Sequence, residues 1–383
     1  MIRQYKLRDY NFRLVLWLLA LSVIGVLLVG SAEPTLQTRQ LAGAAAGFIL
    51  MLALSFLDFS WILNFYRIFY VGNLAMLAMV LLPSIGESTK GATRWVSIAG
   101  FRFQPVELTK ILLILFFARY FMDHENDLNK PSVVIRCILL IGAPLALIFM
   151  QPDLKNTITI TLVFCVLYYA AGLSRKYIFG VLAVLIPLAV IFMAIIIQPN
   201  QTLIKEYQRN RIMAFRYPDN EEYTQGNTQQ NNSVTAIGSG QLSGKGLNNS
   251  DVSSANKGNF IAEIETDFIF AVAGEELGFL GSAGIVILLF LVSAECLFIG
   301  MRAKDLSGRI ISVGMATLIA FQSFINIGVA TRMLPNTGTP LPFISYGLTS
   351  LISLYIGMGI VLNVGLQSKI RYTASPAPRR RTV

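Results

Sequence analysis

The sequence predicts an all-α polytopic integral membrane protein with about ten transmembrane helices. One long extracytoplasmic loop, 198–266, separates the seventh and eighth. Three observations carry this. The 383 residues are 54% hydrophobic and only 14% charged, whereas a soluble domain carries roughly 25% charged residues. Apolar runs of about 20 residues, enough to cross a bilayer, recur along most of the chain. The basic residues behind the formal charge of +10 form no stripe; they punctuate the apolar runs, as topology signals do. Nucleic acid is therefore not an expected partner, and the whole of 1–383 reads as one membrane domain.

Taken in order, the spans are expected at 14–31, 39–57, 62–83, 105–122, 133–150, 155–173, 177–197, 282–301, 309–330 and 346–366. The first follows Arg3, Lys6, Arg8 and Arg13. Gly30-Ser31-Ala32 could be a signal-peptide cleavage site, but the long apolar run followed by further spans favours an uncleaved first helix. With the N-terminus inside, an even number of spans returns the C-terminus inside. Lys and Arg then gather on the inner side, as the positive-inside rule requires. The expected location is the bacterial cytoplasmic membrane with both termini cytoplasmic. The tail 369–383, with Lys369, Arg371 and Arg379-Arg380-Arg381, is a last retention signal or an anionic-lipid contact. Inner loops as short as Ser174–Lys176 leave little room for nucleotide chemistry, and no P-loop or GxGxxG motif is present.

His124 is the only histidine. That excludes a Ser-His-Asp triad and a multi-histidine metal site. Cys137, Cys165 and Cys296 lack ligand spacing and read as small core residues. Acid–base chemistry falls to carboxylates, Lys, Arg or Tyr, and four outer stretches hold them. In 84–104, Trp95 is an interfacial anchor, or joins Arg94 and Arg102 in a phosphate-binding patch. Just beyond, Glu107 and Lys110 share a helix face, as a self-contained ion pair or as charges lining a wet cavity. In Gln151-Pro152-Asp153-Leu154-Lys155 the aspartate reads as an N-cap, with an amine beside it.

The long loop opens with the basic, aromatic KEYQRNRIMAFRYP (205–218), which holds Arg211. An Asn/Gln-rich segment, 219–233, follows and is expected to be mobile. AIGSGQLSGKGL (236–247), around Lys245, is a set of turns or a glycine-rich approach to phosphate. It closes on Glu265-Thr266-Asp267-Phe268, where Asp267 is either a helix cap or a functional carboxylate at the membrane edge. Between the last spans, MLPNTGTPLPFISYG (333–347) is too rich in Pro and Gly for a regular helix. Such backbone at membrane depth must be buried in protein or line a cavity. Its Leu-Pro-Asn-Thr-Gly also matches a sortase signal, a coincidence in a polytopic chain.

In combination, GATRWVSIAGFRFQPVELTK (91–110), QPDL (151–154), RIMAFRYP (211–218), AIGSGQLSGKG (236–246), ETDFIFAVAGEELGF (265–279) and LPNTGTPLPFISYG (334–347) resemble the SEDS family, the RodA/FtsW/SpoVE group. The resemblance spans nearly the whole chain and leans towards RodA. It departs at Ala262-Glu263-Ile264-Glu265, where the family often has Pro-Glu-x-His, and at Leu348-Thr349 after Ser-Tyr-Gly. Residues 219–235 and 247–258 are unusually rich in Asn and Ser. These departures loosen the branch while Asp267 stays in register.

The resemblance implies a peptidoglycan glycosyltransferase that joins lipid II units into glycan strands on the outer face, in shape, elongation or division. Its implied partner is a class B penicillin-binding transpeptidase. Asp267 matches the family's essential aspartate, Arg94 and Trp95 its Arg-Trp pair, and Glu107 and Lys110 its charged helix pair. Asp153, Arg211, Lys245 and Ser345 complete the candidate substrate-binding set. Inversion at the anomeric carbon needs a base for the incoming 4-hydroxyl and cations for the departing diphosphate. Asp267 is the candidate base; Arg94, Lys110, Arg211 and Lys245 are candidate cations. Mg²⁺ or Mn²⁺ could take part, with Asp267 as a ligand, and no nucleotide is needed. The rivals are a lipid II flippase and a non-catalytic scaffold that activates the transpeptidase.

Overall fold

The computed structural model describes residues 7–82, 85–89, 92–98, 101–177, scattered positions between 179 and 198, 206–217, 224–248 and 260–368. The expected span at 177–197 and the tail 369–383 lie mostly or wholly outside them. Helices dominate: α1 (Phe12–Ala32), α2 (Pro34–Ser55), α3 (Phe59–Leu63), α4 (Tyr66–Val80), α5 (Pro105–Asp123), α6 (Pro131–Met150), α7 (Leu154–Ala171), α8 (Glu206–Arg216), α9 (Thr224–Ser239), α10 (Ile269–Met301), α11 (Leu306–Ala330) and α12 (Leu348–Ser368). Among the described residues seven helices are long and apolar enough to cross a membrane: α1, α2, α6, α7, α10, α11 and α12. α4 is apolar but short, and α5 carries Glu107, Lys110, Arg119 and Asp123.

Local chemistry sets the helix ends. The Asn11 side chain accepts the Leu14 amide at the start of α1, and Asp305 accepts that of Gly308 in α11. Proline opens α2, α5 and α6, where its missing N–H is no loss. Gly172 closes α7 at φ 110, a left-handed cap that suits glycine.

The bundle is apolar on both sides of its walls. In α1, Leu14, Leu18, Leu21 and Leu28 are buried, whereas Leu16, Leu19, Val23 and Leu27 are exposed. An outward apolar face of this kind is what a helix presents to lipid. α11 and α12 stand at the centre: α11 packs on α5, α7 and α10, and α12 on α2, α5 and α11. α1 packs on α2 and α10, so the first apolar run is built into the bundle.

Four expectations need correction. The span placed at 62–83 is broken between Leu63 and Tyr66 into α3 and α4. The Asn363 side chain, in α12, accepts the Phe59 amide at 3.0 Å and donates to the Ser55 carbonyl at 2.8 Å. This buried side chain thus serves the backbone at the turn between α2 and α3, just ahead of the break. The segment 84–104 is not plain loop but a three-stranded antiparallel sheet, β1 (Gly86–Thr89), β2 (Ala92–Ile98) and β3 (Phe101–Phe103). The Asn/Gln-rich stretch expected to be mobile is helical over Thr224–Ser239, because Gln230 and Ser233 donate to backbone carbonyls of Val329, Leu334 and Ala330 beside it.

The fourth correction is that the eighth span begins at Ile269, not 282. Its helix is interrupted at Gly278, with φ 65 and ψ −164. The glycine-rich segment fills that interruption. Lys245 and Gly246 amides donate to the carbonyls of Glu275 and Glu276 at 3.0 Å each, and Phe279 and Leu280 amides donate to Gln241 and Leu242 at 2.8 and 3.1 Å. These glycines therefore clasp a broken helix, and the amides of 245 and 246 are engaged there rather than presented to a phosphate. A Cβ on Gly278 would lie 2.3 Å from the Gly244 nitrogen, in a backbone region almost reserved for glycine. Gly278→Ala is expected to cost about 2–4 kcal/mol, read as a lowered melting temperature in detergent. Gly284→Ala, on the same helix with open space around it, is expected to be neutral or slightly stabilising.

Candidate active site

Asp267 sits where two irregular segments meet. The first, 261–268, leads into α10; the second, 333–347, links α11 to α12. Ser345 joins them: its hydroxyl donates to the Thr266 carbonyl at 2.6 Å and accepts the Leu341 amide at 2.7 Å. The Tyr346 amide donates to the Glu265 carbonyl at 2.9 Å. The Asn326 amide group, from α11, donates to the carbonyls of both Asp267 and Thr339, at 2.9 and 2.7 Å. Gln40 of α2 donates to the Ser345 carbonyl at 3.2 Å. Leu341, Phe343 and Ile344 are buried, so this Pro/Gly-rich backbone is enclosed by protein, as its depth demands. Ser345 thus shapes the loop that carries Asp267.

The capping role for Asp267 is overturned. The N-cap of α10 is Phe268, with no side-chain capping bond. The half-buried Asp267 carboxylate lies instead against Gly338: a Cβ there would meet Asp267 Oδ2 at 2.8 Å. Gly338 adopts φ +71, and its carbonyl accepts a hydrogen bond from Lys155 Nζ. A lysine ammonium and an aspartate carboxylate therefore flank one glycine. Burial pushes the neighbouring Glu265 carboxyl above its usual range, and the charges of Glu263, Glu33 and Asp267 push it the same way.

Asp153 keeps its capping role. It is 1% exposed, and accepts the Asn156 amide at 3.4 Å and the Asn156 side chain at 2.8 Å. It stands two residues before Lys155. Arg94, on β2, donates to the Pro152 carbonyl, and its Nε is 3.9 Å from Asp153 Oδ2. One connected path therefore runs from Arg94 through the α7 N-terminus and Lys155 to Gly338 and Asp267. Trp95 is half-buried and pairs in register with Glu87; Glu87 also binds exposed Arg102.

Glu107 and Lys110 close on each other at 2.8 Å, with side chains 5% and 3% exposed. Lys110 borders a small apolar cavity with Leu113, Phe117 and Phe164, so the pair is a buried ion pair rather than the lining of a wet channel. Removing either partner strands a charge, which costs about 3–5 kcal/mol. Glu107→Ala and Lys110→Ala are each expected to lower the melting temperature and, with it, the yield of active protein. Glu107→Gln combined with Lys110→Met is expected to recover most of the stability. Lys245 pairs with buried Glu275 at 2.7 Å across the helix break, and Arg211 is half-buried on α8.

Sequence reasoning noted Lys155 only as an amine at the outer face and missed Asn326, Gly338 and Gln40. Signals were present. A lysine in the first turn of α7 opposes the helix dipole, and Asn326 is a polar residue inside an apolar run. For a divalent ion, no three His, Cys, Asp or Glu side chains cluster among the described residues. Mg²⁺ needs no such cage, since one carboxylate, substrate phosphates and water can hold it, and Asp267 fits that role.

A polytopic helical membrane protein, with a carboxylate held on a stapled loop at one end of its bundle, is the class that this fold and site define. The chain belongs to the FtsW/RodA/SpoVE family of cell cycle proteins, whose model matches residues 10–370. It is 33% identical over 377 residues to the "Probable peptidoglycan glycosyltransferase FtsW" of Geobacter sulfurreducens, covering 95% of this chain and 97% of the relative. It is 31% identical to the protein of the same name from Enterococcus hirae, covering 90% and 89%. Among solved structures, it matches a chain from work on "Structural coordination of polymerization and crosslinking by a peptidoglycan synthase complex", with TM-score 0.76, 28% identity and coverage of 94% and 99%. It also matches the Rod shape determining protein RodA of Thermus thermophilus, with TM-score 0.68, 27% identity and coverage of 93% and 96%. These sequence relatives bear the FtsW name and this crystal structure the RodA name; the family is common to both.

Proposed function

We propose that this chain polymerises lipid II into glycan strands at the outer face of the bacterial cytoplasmic membrane, with both its termini in the cytoplasm. It is a peptidoglycan glycosyltransferase, and Asp267 is its general base. The observation that supports the role of Asp267 is that it is not the N-cap residue of α10, and its carboxylate lies against Gly338, whose carbonyl accepts a hydrogen bond from the ammonium of Lys155.

In the proposed step Asp267 accepts the proton of the incoming 4-hydroxyl as that oxygen bonds to the anomeric carbon. On the opposite face the bond from that carbon to the diphosphate oxygen breaks, and its electron pair leaves with the diphosphate, so the centre inverts. Lys155 and Arg94 supply positive charge to the leaving group, the kind of preorganised stabilisation that counts most at a partly dehydrated site. Lys155 thus joins Arg94 as a substrate-binding cation. Mg²⁺ or Mn²⁺ bound there would be held by Asp267, diphosphate oxygens and water, and would neutralise charge on the leaving group. The partner fitting this chemistry is a class B penicillin-binding transpeptidase, which would cross-link the emerging strand.

The test is purified protein with labelled lipid II, alone and with that transpeptidase. Glycan strands are the expected product. Exchange of lipid II between leaflets without strands would mark a flippase, and neither activity a scaffold.

A further inference from the structure

At the end of the bundle opposite Asp267, the start of α1, the end of α10 and the end of α12 surround a cavity of about 210 Å³. A water's share of liquid volume is about 30 Å³, so a small polar group fits. At a rise of about 1.5 Å per residue, the cavity lies about 40 Å along α10 from Asp267. Glu295 of α10 lines it and is 9% exposed. One Glu295 oxygen accepts the Asn11 amide group at 2.6 Å. Among the described residues no hydrogen bond reaches the other oxygen, which is not among the fully buried, unpartnered atoms and belongs to a residue that borders the cavity. A buried carboxylate with one open oxygen is costly unless a cation meets it.

Arg13 and Arg302 also line the cavity, as does Asp9. Among the described lining residues, two arginines and two carboxylates sum to zero formal charge, which favours a zwitterion over a simple anion or cation. The arginines are exposed and suited to phosphate. Phe12 and Phe298 border the same opening, and both are exposed, at 56% and 51%, an apolar rim that would lie in lipid.

We infer that this cavity holds the headgroup of a phosphoethanolamine lipid. Its ammonium donates to the open oxygen of Glu295, its phosphate lies between Arg13 and Arg302, and its acyl chains run along Phe12 and Phe298. In the orientation proposed above, the lipid belongs to the inner leaflet. The inference rests on that orientation only for the leaflet; the headgroup assignment stands on the cavity.

Delipidated full-length protein is titrated with phosphatidylethanolamine, phosphatidylcholine and phosphatidylglycerol of matched chains, with bound lipid read by native mass spectrometry. Phosphatidylethanolamine is expected to bind about tenfold or more tightly than the other two, the effect of one charge-assisted hydrogen bond that a quaternary ammonium or a glycerol cannot make. Glu295→Gln keeps an acceptor for Asn11 and is expected to remove the preference. Arg13→Gln with Arg302→Gln is expected to weaken all three lipids. Equal binding of the three lipids by the wild-type chain would overturn the proposal, as would an undiminished preference in Glu295→Gln. Soluble phosphoethanolamine stabilising the protein as well as the lipid does would replace the lipid with a free metabolite. None of these readouts depends on strand synthesis, so failure here and failure of the polymerase reading are distinguishable.

Discussion

Asp267→Asn lowers strand synthesis from lipid II by at least about 10²-fold, the range that loss of a general base produces, while the protein stays folded. The amide fills the same space beside Gly338, but cannot take the proton of the 4-hydroxyl. Asp267 is not the N-cap residue of α10, which is Phe268, and Asn326 reaches residue 267 through its backbone carbonyl, which the substitution keeps. The melting temperature in detergent is therefore expected to stay close to that of the parent, as is binding to the partner transpeptidase. Strand synthesis at the parental rate would remove Asp267 from the reaction. A large fall in melting temperature would show that its role is to hold the loop.

Lys155→Met comes second in size. Methionine keeps the apolar stem but deletes the ammonium that bonds the Gly338 carbonyl and that faces the departing diphosphate in the proposed step. Loss of one such preorganised charge costs about 10²–10³-fold in kcat. Because the bond to Gly338 also shapes the loop beside Asp267, the variant is read against Lys155→Arg, which restores a cation and a donor. Partial recovery of kcat by arginine, with KM little changed, identifies the charge. Equal activity in Lys155→Met and the parent would rule out a catalytic contribution from this lysine.

Much of the fold was legible because a bilayer imposes length and apolarity on every segment that crosses it. α1, α2, α6, α7, α11 and α12 fall within a few residues of the expected spans. The strands of the 84–104 segment were passed over, although Trp95-Val96-Ser97-Ile98 and Phe101-Arg102-Phe103 flank Ala99-Gly100 in the manner of a hairpin. The break at Gly278 was not legible at all. Its cause, the clasp by 240–246, is supplied from another part of the chain.

For the site, residue types alone pointed to Asp267, Arg94 and Asp153, because carboxylates and arginines at a membrane edge are costly and so informative. They could not separate a cap from a base, since both readings use the same residue before the same helix. Tertiary structure distinguishes their contacts: Asp153 meets the amide of Asn156, whereas Asp267 meets Gly338 from a distant loop. It also brought in Lys155, and closed Glu107 on Lys110 out of water.

By itself, then, the sequence determined that the chain lives in a bilayer, with its chemistry-bearing side chains gathered in a few polar stretches, because hydropathy is a local property of each segment. Which of those side chains touch was decided only by the packing of helices far apart in the chain. Hydrogen bonds and ion pairs act over a few ångströms, and no spacing along the sequence encodes a contact made across the bundle.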